Sequence, residues 1–130
     1  MIDAPVERVF AFHERPDALE LLTPPFPPVR ILYKSGGIHV GARVVLRIGF
    51  TRWVALHTAY EKNRLFVDQQ VEGLFKSWVH RHEFVAVGSK TQLTDNIEFE
   101  LPPVSWAAKF ALAQVFRYRH RVTRRYCETK

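Results

Sequence analysis

Alternation of large apolar and polar positions is strongest between Leu65 and Leu101. It predicts three successive strands, Leu65–Gly73, Ser77–Val87 and Lys90–Leu101. In the middle strand Trp78, His80, His82, Phe84 and Ala86 share one face, and Val79, Arg81, Glu83 and Val85 the other. In the third, Thr91, Leu93, Asp95, Ile97, Phe99 and Leu101 share a face. A tight turn at Gly88-Ser89 pairs Val87 with Lys90. Phe84 then lies opposite Leu93, His82 opposite Asp95, His80 opposite Ile97 and Trp78 opposite Phe99. The apolar faces coincide in this register, and a slip of one residue would mismatch every pair. The face is therefore apolar except for a His82–Asp95 pair with His80 beside it, which suggests a lined cavity rather than an ordinary core. A loop at Gly73–Lys76 extends the pairing to Val71–Trp78, Gln69–His80 and Val67–His82. That adds Gln69 to the inner face and sets Asp68 against Arg81 on the outer one.

The flanking segments have other periods. Asp3-Ala4-Pro5 reads as a helix start with a capping carboxylate, and Val6, Val9, Phe10 and His13 then fall on one helical face. Pro16 ends that helix, and Asp17 with Glu20 resembles a capping box opening a short helix through Leu22. The proline-rich stretch from Thr23 to Pro28 is a stiff connector. Strands follow at Val29–Lys34, Ala42–Phe50 and Arg52–Glu61. A long helix from about Ser105 to Tyr126 carries a stripe of Ala108, Leu112, Val115, Arg119, Val122 and Tyr126. Arg119 is the exception in it. A buried arginine needs a partner, and Asp95 is the natural one if this helix covers the sheet. The order predicts an α+β chain: two small helices, about six antiparallel strands, then one long helix closing the inner face.

Composition narrows the classes. The chain has 130 residues, 47% hydrophobic and 25% charged, which suits one domain, 1–130, with a single core. It shows no signal-peptide pattern and no apolar run of membrane-spanning length. A single cysteine, Cys127, forms no internal disulfide and points to a reducing cytoplasm. Near a frayed end it reads as incidental. The net charge of +6 is concentrated in the last helix, where basic residues suit a helix C-terminus, and no nucleic-acid-binding motif accompanies it.

The chain resembles the START-related helix-grip superfamily (SRPBCC), which includes polyketide cyclase/dehydrase-like and pollen-allergen-like proteins. The segments that carry the resemblance are Ala4–Phe10, Leu22–Pro25, Phe66–Gln70, Gly73–Phe75, Trp78–Phe84, Leu93–Asp95, Leu101-Pro102 and Phe116–His120. They are similar to a bacterial branch whose domain also occurs fused to nucleotide-sugar-epimerase-like proteins. The fold in that superfamily begins with a long strand, whereas only Met1-Ile2-Asp3 precede the first helix here. A missing or truncated first strand leaves an edge to be paired, and a homodimer is one expectation.

The resemblance implies a cavity between the curved sheet and the last helix, holding a hydrophobic or amphipathic small molecule. Trp78, Phe84, Phe99, Val67, Val71 and Leu112 would be its apolar walls. Gln69, His80, His82, Asp95 and Arg119 would be the few polar groups that orient a ligand. Three other readings stand beside it. His82, Asp95 and Arg119 can be a buried network that only fixes register and docks the helix. A cyclase- or dehydratase-like enzyme would use His82 as acid or base, oriented by Asp95, with Arg119 on a developing anion. A partner- or membrane-surface module would use the basic helix face with Trp106 and Phe110. A metal held by His80, His82 and Asp95 ranks below the structural reading, and no cofactor is expected.

Overall fold

The computed structural model describes residues 1–25, 29–48, 50–73, 75–100 and 105–128, with side chains of the last segment described from Phe110 onward. Helices α1 (Val6–Glu14) and α2 (Ala18–Leu22) come first. Strands β1 (Val29–Ser35), β2 (Arg43–Ile48), β3 (Thr51–Glu61), β4 (Leu65–Glu72), β5 (Ser77–Val87) and β6 (Lys90–Glu100) follow, and helix α3 (Ser105–Cys127) ends the chain. The strands form one antiparallel sheet in sequence order. This is the helix-grip arrangement expected. No helix of the described residues is long and apolar enough to cross a membrane.

The register of β5 with β6 is the one expected, with His82 opposite Asp95 and Trp78 opposite Phe99. Gly88 sits in the left-handed region at φ 61°, where a side chain is strained although nothing crowds it. Gly88→Ala is expected to cost about 1 kcal/mol, read as a lowered urea midpoint. An unchanged midpoint would mean that the turn relaxes freely.

The register of β4 with β5 differs from expectation by one residue. Phe66 pairs with His82, Asp68 with His80 and Gln69 with Val79. The connection is one residue longer than the sequence suggests: β4 pairs with β5 only as far as Gln69–Val79, and the Gln70 side chain holds the loop, its Nε2 donating to the Phe75 carbonyl and its Oε1 accepting from the Phe75 N–H. With a side-chain period of two, that residue exchanges the faces. Asp68 and Phe66 turn inward, while Gln69 and Val71 are exposed and Val67 leaves the inner face. The Asp68–Arg81 pairing does not form; Arg81 lies near Glu83 instead.

The apolar core gathers at one end, where α1 and the end of α3 meet β5 and β6. Phe10 lies edge-on to Phe84, Phe66 and Tyr60 at 5.0, 6.3 and 5.7 Å. Ile2 bridges to Thr91 through two backbone hydrogen bonds, and the Thr91 hydroxyl donates to the Ala4 carbonyl. Beyond this bridge β6 is a sheet edge among the described residues.

Local details at the helix ends differ too. Pro5 is the N-cap of α1, and the carboxylate of Asp17 is engaged by Arg15 rather than capping α2. Cys127 is not frayed. It is fully buried beside Ile2 and α1, its carbonyl accepts from Arg8, and burial pushes its thiol up to about 11.

Candidate functional site

Away from the core end, the inner face and α3 enclose a cavity of about 470 Å³. Its walls are largely apolar: Leu46, Trp53, Phe66 and Trp78 from the sheet, Leu22 from α2, and Leu112, Val115 and Phe116 from α3. Polar groups that reach it include Asp68, His80, His82, His57, His13 and Arg119, together with Arg15 and Lys34, which are paired with Asp17 and Glu20. The β3–β4 ladder is irregular at two places, with an extra residue on β4 at Val71 and one on β3 at Thr58, and such bulges bend the strands around the cavity.

Asp68, His80 and His82 form one connected network with Asp95 and His120 across β4, β5, β6 and α3. His80 Nε2 donates to Asp95 Oδ1 at 2.7 Å. His120 Nε2 donates to Asp95 Oδ2 at 2.6 Å. His82 Nε2 donates to Asp68 Oδ2 at 2.8 Å, with its Nδ1 3.4 Å from Asp95 Oδ1. The two imidazoles on β5 stack with centroids 3.6 Å apart, and Phe66 stacks on the other side of His82 at 3.8 Å.

Charge in the network follows from these contacts. Burial alone would push both carboxyls up. At Asp68 the hydrogen bond and charge of His82, together with His80, prevail and hold it near 2. At Asp95 three histidine donors hold the carboxyl far below the usual range. Burial acts to lower His82, but the two carboxylates outweigh it and raise its pKa. Burial and the neighbouring His82 charge lower His80 to about 4, against the pull of Asp95. Of the pair, His82 therefore takes up a proton more readily than His80. His80 Nδ1 makes no hydrogen bond among the described residues.

The expected site residues are partly brought together. Trp78, His80, His82, Leu112 and Arg119 line the cavity. Phe84 lies in the apolar core instead, and Phe99 faces the outer groove between β6 and α3. Asp95 stands behind the histidines rather than on the cavity wall. Gln69 faces outward. The short bond to Asp95 comes from His80, not from the directly opposite His82, because side chains reach diagonally across the ladder. Arg119 does not pair with Asp95; His120 does. The Arg119 guanidinium makes no ion pair or hydrogen bond among the described residues, lies over Phe116 at 5.6 Å, and is lowered from its ordinary pKa by burial. Asp68, His57 and His120 were missed. The alternation Phe66-x-Asp68 was a signal for Asp68 once the loop is allowed one more residue.

The sequence profile for polyketide cyclase/dehydrase and lipid transport proteins matches residues 2–123. The chain belongs to this family. A nucleoside-diphosphate sugar epimerase from Corynebacterium glutamicum is similar in structure, with TM-score 0.80 and 26% identity over 95% of this chain and 27% of that one. The chain thus spans little more than a quarter of that epimerase, as expected for a domain that also occurs in longer proteins. A protein from Nitrosospira multiformis has TM-score 0.73 and 18% identity, covering 97% of this chain and 90% of that one. Ara h 8.0201 has TM-score 0.72 and 12% identity, covering 99% and 93%. These last two bear on the fold alone. No curated protein matches.

Proposed function

We propose that this polyketide cyclase/dehydrase and lipid transport family member binds an amphipathic small molecule in the cavity between the sheet and α3. Its apolar body lies against Trp53, Trp78 and Leu112, and its polar head faces Arg119. The observation that carries this is the unpaired guanidinium on an otherwise mostly apolar wall. A half-buried cation without a protein partner retains a desolvation cost that an anionic ligand group relieves. The cavity volume of about 470 Å³ suits a small organic molecule. Both activities in the family's description, polyketide conversion and lipid transport, handle apolar skeletons.

A matched probe pair tests the reading. 2-Naphthoic acid is expected to bind more tightly than its methyl ester, measured by calorimetry. Arg119→Met is expected to weaken the acid by roughly 10–100-fold, the loss of a charge-assisted hydrogen bond, and to leave the ester unchanged. Equal binding of acid and ester would remove Arg119 from the head-group role. Failure of both to bind would overturn the cavity reading.

A further inference from the structure

We propose that Asp68, His80 and His82 form a site for a divalent first-row transition ion at the cavity wall. One ligand atom from each lies within 4.8 Å of the other two. Asp68 Oδ2 is 2.8 Å from His82 Nε2 and 3.8 Å from His80 Nδ1. Metal–ligand lengths near 2.0–2.1 Å set neighbouring ligand atoms about 3 Å apart. Side-chain rotations that open the His80–His82 stack, so that both ring lone pairs converge, bring all three to bonding distance. The strands need not move, since Asp68 lies directly opposite His80 and His82 follows two residues along the same face. Two imidazoles and one carboxylate suit zinc, cobalt, nickel or iron better than magnesium or calcium.

The second observation concerns the far side of the rings. His80 donates its Nε2–H to Asp95 at 2.7 Å, and His82 Nδ1 lies 3.4 Å from the same oxygen. Metal-binding histidines commonly present their second nitrogen to a carboxylate, which fixes tautomer and ring orientation. Asp95 serves both rings, and His120 holds its other oxygen. Asp95 is therefore a positioning residue and Asp68 the ligand, whereas the sequence suggests Asp95 as the ligand and Asp68 on the outer face. His80 Nδ1 is left with a free lone pair toward Asp68. His82 Nε2 and Asp68 Oδ2 are joined by a proton, which the ion displaces on binding.

All three ligands line the cavity, so the open coordination positions face the same space as Arg119. Three protein ligands with an open remainder is the pattern of an ion that takes up water or a ligand oxygen. The site stands on its own geometry and does not require the naphthoic acid reading.

The test is a titration of chelator-treated protein with zinc chloride, followed by histidine ring nitrogen NMR. Saturation at one equivalent is expected, with large shifts at His80 and His82 and none at the exposed His39. Cobalt(II) is expected to give visible absorption at the same stoichiometry, bleached by zinc. Asp68→Asn and His82→Gln should abolish stoichiometric uptake, and Asp95→Asn should weaken it about 10–100-fold. The wild-type spectra stand even if a variant fails to fold. Absence of saturable binding, or saturation with His80 and His82 unshifted, overturns the proposal.

Discussion

Asp95→Ala is expected to lower the unfolding free energy by about 3–5 kcal/mol, the usual cost of removing one partner from a buried ionic network. Asp95 joins three elements at once, accepting from His80 on β5 and His120 on α3 while lying against His82. Without it, His80 and His120 lose their acceptor and His82 keeps only Asp68. Buried donors left unpaired carry their full desolvation penalty. Asp95→Asn keeps an acceptor and should cost less. Urea unfolding of the metal-free proteins checks both. A loss below about 1 kcal/mol for the alanine variant would place the network in solvent-like surroundings.

The second large effect is on acid stability. His13 is buried against Phe66 and Phe84, donates Nδ1–H to the Val9 carbonyl at 2.9 Å, and burial lowers its pKa to about 3. The charges of His82 and Arg119 lower it further, and Asp95 opposes them. In the unfolded chain the same ring titrates near 6.5. Between these values the unfolded state holds a proton that the folded state refuses. The stability due to neutral His13 is complete above pH 6.5, declines as pH falls, and is gone near pH 3. The slope is about 1.4 kcal/mol per pH unit, or about 2 kcal/mol between pH 6.5 and 5. His13→Leu should lose less stability over that interval by this amount, compared through urea midpoints at the two pH values. Other acid-sensitive groups act in both proteins and cancel in the comparison. Parallel pH profiles would show that His13 takes up its proton in the folded state.

The Gly88-Ser89 turn made β5 and β6 readable from the amino acids alone, because a short hairpin leaves little choice of pairing. The Gly73–Lys76 connection had no such constraint. Its extra residue is accommodated by the Gln70 side chain, which bonds the Phe75 backbone as a strand partner would, and no periodicity reports that. The consequence falls on the site: the sequence pattern points Asp68 outward and Gln69 inward, and the fold does the opposite. The stripe on α3 correctly placed Leu112, Val115 and Arg119 toward the sheet side. It could not tell which residue would reach Asp95. One step along a helix turns about 100°, and that separates His120, which meets the carboxylate, from Arg119, which faces the cavity. The superfamily was legible from the order of its segments along the whole chain, whereas the chemistry depends on side-chain direction within each element.

Cys127 gives the molecule a reporter of its own. It is the sole thiol, fully buried where the end of α3 meets α1 and Ile2. The raised pKa of a buried thiol suppresses the thiolate, the form that alkylating and disulfide reagents attack. Labelling therefore proceeds through openings of that junction. At low reagent concentration the observed rate is the opening equilibrium multiplied by the intrinsic thiol rate; at high concentration it levels off at the opening rate itself. Reaction of the unmodified protein thus measures how often helix α3 releases its C-terminal hold on the sheet, and a ligand that closes the cavity under that helix would slow the chemistry of a sulfur it never touches.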